Sequence, residues 1–198
     1  MNRFSYFLHL FLGFFLFWLG IAVLIPQWDI PPLRLMVNLI TLLDFGIHEM
    51  GHMVFGIFGI PFLGVLGGSL FQWSAPILMA GYAVYKKWLT WAIFFFFWFG
   101  ITIQESAPYI KDASNQKLPL SSPFFFTGEP ITHDWNYLLS QTHLLWADQI
   151  IGILFFIAGS MVMLLAVALM LIPKEWIVEW EGWSFMSRDL FSILRRNS

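Results

Sequence analysis

Five stretches of this chain approach the length of a bilayer crossing while carrying almost no charge. A helix rises about 1.5 Å per residue and must traverse roughly 30 Å of hydrocarbon, so about 20 apolar residues make one span. Residues 4–25, 33–58, 70–85, 88–104 and 147–172 fit that pattern. In lipid every backbone N–H and C=O must be satisfied within the segment itself, which leaves the helix as the solution for such runs. Composition agrees: 59% of the 198 residues are hydrophobic and 11% are charged, against about a quarter charged in a soluble domain. That is too little polar surface to cover a water-facing globule. The expectation is an all-α, polytopic helical membrane protein, with one transmembrane domain over residues 1–173.

The breaks between the runs set the organisation. FSYFLHLFLGFFLFWLGIAVLI at the start is read as a retained anchor, because its apolar part exceeds a signal-peptide core and no A-x-A-like site follows. His9 within it reads as a packed or interfacial histidine. PQWDIPP forms a turn, and the Gly/Pro-rich GIPFLGVLGG leads into the third span. Lys86 and Lys87 separate the third from the fourth. Residues 105–144 form a polar loop, whose PFFF is read as dipping into the interface. In the tail, 174–198, Trp176, Trp180, Trp183, Leu190 and Leu194 recur near helical spacing among charges, the pattern of an amphipathic helix lying on a membrane.

Five spans put the termini on opposite sides. Arg34, Lys86, Lys87, Lys174, Arg188, Arg195 and Arg196 share one side, and Arg3, Lys111 and Lys117 the other. The positive-inside rule then predicts a multi-pass protein of the plasma or inner membrane with a cytoplasmic C-terminus. The net charge of −2 gives no electrostatic case for nucleic acid. The absence of cysteine removes disulfides, thiolate nucleophiles and Cys-type metal sites, so any metal must be held by His, Asp or Glu.

Residues 45–56, FGIHEMGHMVFG, place two histidines and a glutamate in an otherwise oily run, where ionisable groups are costly and mark function. On a helix His48 and His52 stand at i and i+4 on one face, the spacing at which two imidazoles bind one zinc ion. Glu49 is rotated about 100° from His48, near enough to act on a metal-activated water without being a ligand. Zinc lowers the pKa of its water toward about 7, and a carboxylate can then take the proton and return it to a leaving amine. By chance H-E-x-x-H arises in about one chain of this length in several hundred. Asp44, one turn earlier, suits either an acceptor for the other ring N–H of His48 or an interfacial carboxylate. Gly46 and Gly51 suit close helix approach.

A zinc hydrolase site needs a third protein ligand. ITHDWNYLLSQTHLLWADQIIG supplies His133, Asp134, His143 and Asp148. A carboxylate is preferred, Asp134 ahead of Asp148, with the two histidines next. Each of the four also suits a helix cap or an interfacial position.

The HEMGH sequence in an apolar helix of a small multi-span chain resembles the site-2-protease family of intramembrane zinc metallopeptidases. The resemblance implies His48 and His52 as ligands to one zinc ion and Glu49 as catalytic base. In that family a distal aspartate in an N-x-x-P-x4-D-G-like motif completes the site. LLWADQIIG holds a comparable position through Asp148, without the Asn-Pro or the following Gly. FQWSAPILM is similar, through Ala75 and Pro76, to the family's G-P-x-x-N element. The implied activity is cleavage of a membrane protein or peptide in or near its transmembrane segments. GVLGGSLFQW then suits an extended edge for an unwound substrate. Two other classes compete: a metal-dependent membrane lipid hydrolase, to which a Ser106, Asp112, His133 set would belong, and a non-enzymatic metal-binding membrane protein.

Overall fold

The structure, a computed structural model, describes residues 3–25, 27, 30–118 and 133–172. Among them every regular element is a helix. In order come α1 (Arg3–Leu24), α2 (Pro31–Gly56), α3 (Pro61–Tyr85), α4 (Leu89–Lys111), the two-turn α5 (Asp134–Gln141) and, after a single 3-10 turn, α6 (Asp148–Leu171).

The punctuation is local. α2 and α3 both open on proline, whose fixed φ suits the first helical position and whose missing N–H costs nothing there. The residues before them, Ile30 and Ile60, are extended, as a following proline demands. Gly59 turns the chain between α2 and α3 with φ of 65°, a conformation that glycine adopts freely.

Among the described residues three helices are long and apolar enough to cross a membrane: α3, α4 and the continuous run Leu145–Leu171. α2 is as long, but Arg34, Asp44 and Glu49 interrupt its apolar face. Of α1, the stretch Leu10–Leu24 counts as a shorter apolar helix.

Two boundaries differ from the sequence reading. GIPFLGVLGG is not a connection: helix α3 begins at Pro61 and takes in Gly64, Gly67 and Gly68. GVLGGSLFQW is therefore helical, with no extended edge to offer. The polar loop likewise starts later, because α4 continues to Lys111 through Pro108, and α5 lies within its second half. The 174–198 tail with its amphipathic helix, the PFFF segment and the side chain of His9 lie outside the described residues.

α6 packs along α4 and α2 along α3, and α3 against α4 joins the two pairs. The main core fills the space between α1, α4 and α6 with Leu16, Leu19, Phe97, Ile101, Met163 and Met170, each about 1% exposed. The α4–α6 crossing is a backbone contact. A Cβ on Gly159 would stand 2.6 Å from both the Gln104 nitrogen and the Gly100 oxygen. Small residues at such crossings let helices approach closely, and dispersion then replaces the hydrophobic drive that lipid removes. Gly46 is different: nothing lies within 4 Å of a Cβ added there.

Gly159→Leu should therefore force α4 and α6 apart and cost about 1–3 kcal/mol, whereas Gly46→Ala should be neutral or slightly stabilising through helix propensity. Thermal unfolding of the two variants in detergent, followed by circular dichroism, checks both.

Candidate metal centre

Close contact between α2 and α3 builds the centre. A Cβ on Gly51 would run into the Gly67 carbonyl, and one on Gly67 would meet the Phe55 side chain, so both positions must be glycine for the backbones to meet. That approach brings one face of α3 (Gly64, Gly68 and Gln72, spaced by four) against the histidines of α2.

Each imidazole has its Nδ1 committed. His52 Nδ1 lies 2.9 Å from the Gly64 carbonyl oxygen, and His48 Nδ1 lies 3.2 Å from Gln72 Oε1. Both partners can only accept, so both Nδ1 atoms carry the proton and donate it. In the neutral form of the rings each Nε2 then keeps its lone pair, the tautomer that a metal requires.

The two Nε2 atoms stand 3.0 Å apart, with the rings edge to face. Asp134 Oδ2 approaches them at 3.0 Å from His48 and 3.1 Å from His52. Three acceptor atoms thus point at one spot, an arrangement that a cation resolves. Zinc bonds of about 2.0–2.1 Å in tetrahedral geometry hold neighbouring ligand atoms about 3.3 Å apart, close to the triangle found here. The cluster can hold a metal ion.

Room for an ion comes from Gly68. A Cβ there would lie 2.6 Å from Nε2 of His52 and 2.7 Å from Nε2 of His48. Glycine keeps that volume open beside the ligand atoms.

Asp134 is the first residue of α5. Burial pushes its carboxyl up, but the imidazoles of His48 and His52 facing it pull it down further, to about 2. The sign follows from linkage: a depressed carboxyl contributes stability that is present above the ordinary carboxylate range and lost as pH falls through about 2. At neutral pH Asp134 supplies a full negative charge. Glu49, half-buried beside its neighbours, lies in electrostatic range of His52, His48 and Asp134.

The other residues singled out from sequence have different places. Asp148 Oδ2 accepts from the backbone N–H of Ser114 at 3.1 Å and from its hydroxyl at 2.6 Å. It serves the start of α6 and is not part of the cluster. His133 caps α5, its Nδ1 accepting from the Asn136 N–H at 3.2 Å, with its Nε2 3.7 Å from Asp112. His143 is exposed, with φ of 58° just past α5. Ser106 donates to the Thr102 carbonyl and accepts from Trp73, so its hydroxyl is engaged away from Asp112 and His133.

Asp44 does not support His48. It is 1% exposed, and its Oδ1 accepts from the Trp98 indole at 2.8 Å. The other carboxyl facing it is that of Glu105, itself bonded to the Thr41 hydroxyl. Asp44 ties α2 to α4. Gln72 and Gly68, which sequence reading passed over, are the supports of the centre. A glutamine in an apolar helix was the available signal, since a buried amide is costly without a partner.

Gly68→Ala should press on both imidazoles and weaken zinc affinity about tenfold or more, measured by competition with a chromophoric chelator. Asp44→Leu should cost about 1–3 kcal/mol by stranding the Trp98 N–H, while Asp44→Asn keeps the acceptor for that N–H and should be near neutral. Unfolding followed by tryptophan fluorescence separates the two. The chain matches no family model, no curated protein and no solved structure, so its function has to be read from the chemistry of these residues.

Proposed function

We propose that this chain is an intramembrane zinc-dependent endopeptidase that hydrolyses peptide bonds in or near the transmembrane segments of other membrane proteins. The observation that carries the reading is the convergence of His48 Nε2, His52 Nε2 and Asp134 Oδ2 on one point, with Glu49 beside it on the same helix. Two imidazoles and one carboxylate are a donor set that suits zinc and leaves a fourth position open. Zinc bound there supplies Lewis-acid polarisation of the scissile carbonyl and an acidified water.

The residues of the chain do the rest. His48 and His52 are held in the metal-binding tautomer by Gln72 and the Gly64 carbonyl. Asp134 contributes the negative charge. Glu49 accepts a proton from the attacking water and returns it to the nitrogen of the leaving amine as the C–N bond breaks. A helical substrate hides its carbonyls in its own hydrogen bonds and must unwind to be cut.

In this reading α1 and α2 join the three apolar helices as further spans, and the protein is multi-pass with its C-terminus in the cytoplasm. Thr41, Asp44 and Glu49 keep α2 from being purely apolar, which suits a helix facing protein and a hydrated site rather than lipid alone.

Glu49→Gln tests the assignment. Purified wild-type protein in liposomes should carry one zinc ion per chain and cut a reporter peptide with a transmembrane helix. The variant should keep the metal and lose about 10²–10⁴-fold in turnover. Turnover that survives in the variant removes Glu49 as base. Zinc retention without any peptide cleavage by the wild type points to a non-enzymatic metal protein, and release of a lipid product points to a lipid hydrolase.

A further inference from the structure

We propose that Asn136 and Asp148 are positioning residues for the Asp134 carboxylate and that they act together through one peptide group, the Ala113–Ser114 amide just beyond the end of α4. This rests on the metal-centre reading above and adds what holds its third ligand in register.

α5 cannot place Asp134 by itself. It has eight residues, and helices shorter than about 12–15 residues are marginal in isolation. A ligand must be fixed to within about 0.5 Å to be productive. The anchoring therefore has to come from outside the helix.

The C-terminal end of α4 provides it. Asn136, in the first turn of α5 with Asp134, donates from Nδ2 to the Ala113 carbonyl at 2.7 Å. The N–H of the same peptide unit, that of Ser114, donates to Asp148 Oδ2 at 3.1 Å, and the Ser114 hydroxyl adds a second bond at 2.6 Å. One amide is thus held on its oxygen by α5 and on its nitrogen by α6. The two bonds reinforce each other: a carboxylate on the N–H polarises the amide and makes its oxygen a better acceptor. Ala113 is 0% exposed and Asp148 3% exposed, while Ser114 lies at the exposed rim of the seat. Gln149, next to Asp148, donates to the Lys111 carbonyl at 2.5 Å and fixes the same end of α4 once more. Packing of Leu139 against Ile110 and Ala113 completes the seat.

The test uses the full-length protein in detergent, with zinc and cobalt alone as probes. Asn136→Ala and Asp148→Ala should each weaken zinc affinity about 10–100-fold and alter the visible spectrum of bound cobalt, which reports the donor set. Asp148→Asn retains an acceptor for Ser114 and should recover most of the affinity. Because both side chains act on one amide, the double alanine variant should lose much less than the product of the two single losses. A second readout needs no metal. The chain has no cysteine, so a His52→Cys, Asp134→Cys pair can be bridged selectively by a short bifunctional thiol reagent, and Asn136→Ala should slow that cross-link several-fold. Zinc affinity within about twofold of wild type in Asn136→Ala, an unchanged cross-linking rate, or fully multiplicative losses overturn the proposal. If wild-type protein takes up no zinc, the metal-centre reading fails, and the cross-link still decides the positioning role.

Discussion

Backbone contact between α2 and α3 is the constraint on which the centre depends. Only because Gly51 and Gly67 let the two helices touch does the Gly64 carbonyl reach His52, Gln72 reach His48, and the missing side chain of Gly68 fall beside the two Nε2 atoms. Glycine inside a helix costs about 1 kcal/mol relative to alanine in water. α3 spends three of them within its first two turns, and the return is a pair of imidazoles whose protons are both directed away from the point at which their lone pairs meet.

The same economics explain what the sequence made legible and what it hid. His48, Glu49 and His52 are readable because four-residue spacing in a helix is fixed by geometry, and because ionisable groups stand out in an oily run. The GIPFLGVLGG stretch was not readable as helix. By intrinsic propensity it is a turn, and only a neighbour packed at backbone distance makes it anything else. The end of α4 was obscured in a similar way: Glu105, Ser106 and Pro108 look like the start of a loop, yet Glu105 and Ser106 are satisfied by Thr41 on α2, Trp73 on α3 and Thr102 on the preceding turn of α4.

Long-range partners are the hardest to read. Nothing local distinguishes Asp134 from Asp148: each is an acid in the first turn of a helix. What separates them is the course of the chain after α4, which places one carboxylate on the histidines and the other on the Ser114 amide. Asp44 shows the converse. Helical spacing puts it one turn from His48, but its side chain turns to Trp98 on α4, because a buried carboxylate bonds to the nearest donor available rather than to the one that spacing suggests.

One consequence concerns the order in which the chain is made. The two nitrogen donors lie on α2 and the oxygen donor is separated from His48 by 86 positions, so during synthesis the imidazoles emerge long before the carboxylate. A cation met at that stage finds two donors and an incomplete shell. On the proposed metal-site reading, only when α5 has been translated and has docked would the grip close, so that completion of the centre would come late in maturation and couple ion retention to successful folding.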